Sequence, residues 1–331
     1  MRFSVDGWDP SYGAATDMNE LVETAAKVDA TLEVSSSEWS PIAPRADITI
    51  PGTVLFVDGV RRIDARAWID DVDAPNGEGQ RAVPGLCASY AAGVVCASKQ
   101  GAHVMSSEVR RGLFTAASSA TTIETSCGPY KLRRTVSSPD LPPAASLTNA
   151  LQQALAELEV TMAVEARHQR AKSAPRENDL LVVDGPLRGK AHLARTLGYV
   201  KTHGVQYLPS AMNAVVAELA TGCRTPVFAV ASGWDRYSWY LRLPCLPAGP
   251  WAGIVRLEAA PELNLSEVIA LANVTQILLG RFASVEYKDG RAPQNLTPIA
   301  GLEKDLRHRL GLGPLLYREL RSAAWAESLA R

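Results

Sequence analysis

Two short apolar runs in this chain end in the same dipeptide, Val54-Leu55-Phe56-Val57-Asp58-Gly59 and Leu180-Leu181-Val182-Val183-Asp184-Gly185. β-Branched and aromatic residues favour strands, whereas Asp and Gly disfavour them and favour turns. Each run therefore predicts a buried strand that delivers a carboxylate at its end, with the glycine turning the chain. If the two strands are neighbours in one sheet, the carboxylates converge at its edge. Carboxylates a few ångströms apart repel unless a proton or a divalent cation lies between them. A hard ion such as Mg²⁺ or Mn²⁺, held by carboxylates, water and substrate phosphate, resolves that conflict. This is the chemistry of a metal-dependent nuclease. The competing reading is that both aspartates only cap turns.

Composition narrows the setting. A chain of 331 residues buries a sizeable core without difficulty. The formal net charge is −1, so no global basic field advertises nucleic acid, although a local groove can be basic in a neutral protein. Of the 34 basic residues 8 are Lys and 26 are Arg, a bias that suits phosphate forks and that a GC-rich genome also produces. Five cysteines (Cys87, Cys96, Cys127, Cys223 and Cys245) form no CxxC pair, which points away from a disulfide framework and from a zinc knuckle. No apolar leader and no uncharged run long enough to cross a bilayer occurs, so the expectation is a cytoplasmic protein with no membrane span.

Periodicity organises the rest. Residues 1–45 read as a lead-in with a short strand, a helix near 18–30 and a Ser/Pro-rich connector. Strand one ends at Asp58, residues 63–69 form a second strand paired through a turn at 59–62, and 85–97 form a third, which together suggest an antiparallel meander. A polar turn fills 70–81, residues 103–136 suggest a helix with one or two peripheral strands, and 137–143 are a Pro/Ser break. Leu147, Leu151, Leu155, Leu158 and Met162 recur at three- and four-residue steps and predict a long helix to about Lys172, closed by Pro175. The second aspartate strand follows, then a helix from about Lys190, strands at 227–231, 237–243 and 254–257, and helices at 267–280 and 299–310. Three meander strands, a long helix, a strand and a helix is the order of an α/β ribonuclease H-like mixed sheet flanked by helices, with extra C-terminal strands and helices. In such a sheet strands one and four are adjacent, which brings Asp58 and Asp184 together.

The motifs sharpen this. Val57-Asp58-Gly59 followed by a meander, Val182-Val183-Asp184-Gly185-Pro186-Leu187, then Gly198-Tyr199-Val200-Lys201-Thr202 resembles the NurA family of DNA-repair nucleases. The stretch Pro293-Gln294-Asn295-Leu296-Thr297-Pro298-Ile299, continuing through Leu302-Glu303 to Leu306-Arg307-His308, is similar to that family's C-terminal segment with its histidine-bearing helix. The resemblance spans roughly residues 50–312. It implies a nuclease domain over 46–312, with 313–331 as a helical tail. The activity it implies is a Mn²⁺- or Mg²⁺-dependent deoxyribonuclease with a two-metal site, a 5′–3′ exonuclease or single-strand endonuclease processing DNA ends in repair or resection. As partners it implies a second copy in a homodimer and a HerA-type hexameric ATPase that acts as translocase. The chain departs from the family pattern at Val60 and Pro186, where serines are expected, and at Ala300, where no neighbouring tyrosine stands.

On this reading Asp58 and Asp184 are metal ligands, and a third carboxylate is needed because two rarely satisfy hard ions. The family places a glutamate on the helix before the second aspartate strand. Glu165 is the choice, with Glu157 and Glu159 competing and a solvent-facing glutamate the bland alternative. Lys201 is assigned to a phosphate, against a solvated terminus. His308 is assigned as metal ligand or acid for the leaving oxygen, against a helix C-terminal charge. His203 reads as a surface histidine. Arg61-Arg62, Arg110-Arg111 and Lys131-Arg133-Arg134 are candidate DNA-backbone contacts, or solvated surface. Trp234, Tyr237, Trp239 and Tyr240 read as packing residues rather than as base-stacking ones, and Trp8 and Tyr12 suggest a dimer contact. The stretch 185–190 lacks the spacing and hydroxyl of a phosphate-cradling loop, so the chain is not expected to hydrolyse ATP. Two other readings stay open: a non-catalytic ribonuclease H-like adaptor that binds DNA beside a HerA-type ATPase, and a different nuclease of the same fold.

Overall fold

A computed structural model describes residues 8, 22–23, 26–71, 82–136, 141–173, 178–246 and 248–329. The expected turn over 72–81, Pro175, most of the Pro/Ser break and Tyr12 lie outside them. Twelve strands and five helices alternate along the described chain: β1 (Val22–Glu23), β2 (Lys27–Asp29), β3 (Thr53–Asp70), β4 (Ala82–Ser98), β5 (Gly101–Thr115), β6 (Lys131–Arg134), α1 (Pro143–Ser173), β7 (Asp179–Asp184), β8 (Thr196–Val200), β9 (Val205–Gln206), α2 (Ser210–Ala217), β10 (Phe228–Ala231), β11 (Arg236–Arg242), β12 (Ile254–Ala259), α3 (Leu265–Leu278), α4 (Thr297–Arg309) and α5 (Gly313–Leu329).

Ten strands form one sheet in the order β2-β10-β11-β12-β8-β7-β3-β4-β5-β6. Its middle, β5-β4-β3-β7-β8, is the mixed ribonuclease H-like arrangement: three sequence-consecutive neighbours, then β7 parallel to β3 and β8 parallel to β7. Antiparallel β12, β11 and β10 extend it as the expected extra strands. Val54–Val57 and Leu180–Val183 are buried throughout, as strands covered on both faces should be.

The chain divides into two compact units, one of 1–57, 95–103 and 167–301, the other of 58–94, 104–166 and 302–331. In the first, Val54, Phe56, Leu180, Val182, Leu197, Leu257 and Trp239 pack with Val268 and Ala272 of α3 and Ile299 of α4. Helix α3 starts at a capping box in which the Asn264 side chain accepts the Glu267 N–H and Glu267 returns a carboxylate to the Asn264 N–H. In the second unit Cys87, Leu113, Ala117, Tyr130 and Leu320 of α5 form the core under Ala65, Ala67 and Ile69.

Four expectations are corrected. Strand one does not stop at Asp58: β3 runs unbroken to Asp70, so the two short strands expected on either side of a turn are one. Gly59 instead lies close under α1: a Cβ there would come 2.6 Å from Leu155 Cδ1 and 2.9 Å from Glu159 Oε1, side-chain ends that would have to shift. Val22–Glu23 and Lys27–Asp29 are strands where a helix was expected, β2 pairing with β10 at the sheet edge. Residues 103–136 hold β5 and β6 and no helix, and 188–194 are turns instead of a helix. Among the described residues no helix is long and apolar enough to cross a membrane.

Candidate metal centre

The register of the central strands builds the site. In the parallel β3–β7 pair Val57 lies beside Val183, so Asp58 and Asp184 are the next residues on strands about 4.8 Å apart. Asp184 closes β7, and Gly185 then turns with φ 97°, the left-handed conformation expected of the second Asp-Gly pair. Gly185 exchanges two backbone hydrogen bonds with Tyr199, its N–H to the Tyr199 carbonyl at 2.7 Å and the Tyr199 N–H to its own carbonyl at 3.1 Å. The fully buried carboxylate of Glu258 holds the next stretch, accepting the Leu187 N–H at 2.9 Å. Glu258 is itself charge-balanced by Arg236 Nε at 3.0 Å and an Arg256 terminal nitrogen at 2.9 Å. The segment that follows Asp184 is thus held at Gly185 and again at Leu187.

Asp58, Asp184 and Glu303 of α4 each offer one carboxylate oxygen, and these three oxygens lie within 4.8 Å of one another. Asp58 is buried and the other two are partly so. Asp58 Oδ1 accepts the Gly59 N–H at 2.7 Å. Lys201 Nζ donates to Asp184 Oδ2 at 2.6 Å and to Asn295 Oδ1 at 3.1 Å. An all-oxygen donor set of this kind, without His or Cys in the group, fits a hard ion such as Mg²⁺ or Mn²⁺ rather than zinc.

The segment Pro293-Gln294-Asn295 braces this region. The Tyr199 hydroxyl donates to the Gln294 carbonyl at 2.6 Å, and Trp8 Nε1 donates to Gln294 Oε1 at 3.0 Å. Burial, with Asp184 nearby, pushes the Tyr199 phenol well above its ordinary pKa, so it stays a donor. Trp8, one of the two aromatic residues read as a dimer contact, is buried against its own chain.

The sequence-selected residues divide. Asp58 and Asp184 come together, and Lys201 stands on Asp184. Glu165 and His308 do not join them: Glu165 is exposed on α1, and His308 is exposed in the last turn of α4. On α4 a step of five residues turns about 140° past a full revolution, which carries His308 away from Glu303. Glu303 takes the third place. Its signal was weak: it lies beside the apolar stripe Ile299, Leu302, Leu306, while the motif directed attention to the histidine. On α1 it is Glu159 that is buried, against Gly59, while Glu157 and Glu165 face solvent.

Other expectations shift too. His203 is buried, not superficial, with Nε2 donating to the Ile254 carbonyl at 3.1 Å. Several basic residues are engaged within the protein. Arg62 donates to Asp64 and to the Gly311 carbonyl at the end of α4, Arg110 pairs with Glu108, and Arg134 donates to the carbonyls of Ala117 and Ser118. Trp239 and Tyr240 are core residues, as read, and Trp234 lies against the Arg236 guanidinium.

No protein-family model matches the chain, and no curated protein matches it. Solved structures do resemble it. The NurA nuclease from Sulfolobus solfataricus is 10% identical at a TM-score of 0.40, over 82% of this chain and 84% of that one. The catalytic domain of human endonuclease V is 17% identical at a TM-score of 0.35, over 78% of this chain and 82% of that one. Endonuclease V of Ciona intestinalis, solved with a 24mer DNA containing an inosine followed by a ribo-adenosine, is 13% identical at a TM-score of 0.32, over 84% and 88%.

Proposed function

We propose that this protein is a divalent-metal-dependent nuclease that hydrolyses DNA phosphodiesters. The observation that carries the reading is the meeting of Asp58, Asp184 and Glu303, far apart in sequence, with carboxylate oxygens within 4.8 Å. Like charges are held this close at a cost unless a cation shares them. A bound Mg²⁺ or Mn²⁺ supplies an activated water and neutralises charge on the leaving oxygen. The chain's own part is to hold the ligands: Asp58 on the unbroken β3, Asp184 at the end of β7 beside Tyr199, Glu303 on α4.

The proposal extends to processing of linear or single-stranded DNA as a homodimer docked on a HerA-type ATPase, following the motif resemblance. Purified protein with Mn²⁺ should degrade such DNA, and Asp58→Ala and Asp184→Asn should each reduce the rate by a hundredfold or more. Wild-type rates in both variants would end the reading. One observation favours a second reading. The Lys201 ammonium already balances Asp184 at 2.6 Å, as it would in a DNA-binding adaptor without catalysis. That adaptor would bind the ATPase and cleave nothing under any divalent ion.

A further inference from the structure

We propose that Lys201 is an internal counter-ion that an incoming divalent metal must displace from Asp184, and that Asn295 is the acceptor that keeps it. The inference rests on the metal reading above. Lys201 Nζ donates to Asp184 Oδ2 at 2.6 Å and to Asn295 Oδ1 at 3.1 Å. Its side chain is only 11% exposed, so an ammonium stripped of acceptors there is costly.

Asn295 is fully buried and held from three sides. Its Nδ2 donates to Asp289 Oδ2 at 2.7 Å, and its N–H donates to the Arg291 carbonyl at 3.0 Å. Asp289 is braced in turn, its Oδ1 accepting the Arg291 N–H at 2.8 Å. With the amide nitrogen committed to Asp289, the amide oxygen is obliged to face Lys201.

Asp184 is therefore claimed by two cations. A divalent ion at that carboxylate meets the like charge of the ammonium a few ångströms away, where the interaction is only partly screened. Lys201 can release Oδ2 and still keep the oxygen of Asn295. The two residues then act in opposite senses: Lys201 raises the free energy of the metal-bound state, and Asn295 lowers it by giving the displaced ammonium a partner.

The test is Mn²⁺ affinity without DNA, read by calorimetry or by electron paramagnetic resonance of free Mn²⁺, at one pH and ionic strength. Lys201→Gln should bind Mn²⁺ on the order of tenfold more tightly than wild type. Asn295→Ala should bind about threefold more weakly. A merely damaged site would weaken both, so the opposite signs are the signature. Unchanged or weaker binding by Lys201→Gln overturns the proposal, and unchanged or tighter binding by Asn295→Ala overturns the part given to Asn295. Should Asn295→Ala fail to fold, Asn295→Leu, of similar size and without an acceptor, takes its place and must likewise weaken binding, while Lys201→Met must tighten it. A wild-type protein that takes up no Mn²⁺ would instead overturn the metal reading itself.

Discussion

His203 lies among aromatic rings, its centroid 5.7 Å from Tyr240 and 5.3 Å from Trp251. Loss of hydration on burial pushes its pKa from 6.5 down to about 4. The bond to Ile254 opposes that shift, and the charge of Arg256 adds to it. Between those values the unfolded chain binds a proton that the folded protein refuses. Stability is therefore complete above about pH 6.5 and is lost as the pH falls toward 4. The loss approaches roughly 3 kcal/mol at the acid end. His203→Gln keeps an N–H for Ile254 and cannot titrate, so its urea midpoint should fall less than that of wild type between pH 7 and 4.5. Equal falls would remove His203 as the source. Residue chemistry also explains the uneven legibility of the site. Asp58 and Asp184 announce themselves by ending apolar runs. Glu303 sits on a helix rich in charge, where nothing local separates a ligand from a solvated neighbour.

At the scale of elements, β7 is held at both ends by charge. Asp179 at its start accepts from Arg167 at 2.7 Å, Arg195 at 2.9 Å and Arg170 at 3.2 Å. Burial alone would raise the Asp179 pKa, yet the three guanidiniums, Arg167 foremost, hold it below the ordinary carboxylate value. Asp179→Ala should thus leave buried cations uncompensated and destabilise by on the order of 3 kcal/mol or more, seen as a lower denaturation midpoint. Gly59 tests the other strand. Gly59 has no positive φ that only glycine adopts, so Gly59→Ala reads packing alone: a Cβ pressed onto Leu155 and near the Ala91 carbonyl should cost about 1–3 kcal/mol. A neutral Gly59→Ala would show that the Leu155 and Glu159 side chains yield to the added methyl and that close packing does not require glycine there. The apolar spacing of α1 and the extra strands β10–β12 were legible because period and burial agree there. The continuity of β3 was not: Asp-Gly is a stop signal by propensity, and a helix packed close against the glycine overrode it.

At the scale of the whole molecule, a metal that binds only the folded protein must stabilise it by mass action, by about 2.7 kcal/mol at a hundredfold excess over its Kd. Mn²⁺ should raise the melting temperature of wild type and leave that of Asp184→Asn unmoved, and chelation should reverse the rise. An equal shift in both proteins would place the ion elsewhere.

From local pattern alone the chain determined its class: two buried strands ending in aspartate, a long amphipathic helix between them, and a mixed α/β sheet. Those features follow from propensity and periodicity, which neighbouring residues express wherever the chain goes. Only the tertiary structure decided which third carboxylate joins the pair, that Lys201 spends its charge on Asp184, and that His203 is buried. Each depends on the register between strands and the rotation of helices, which side chains distant in sequence settle together through packing.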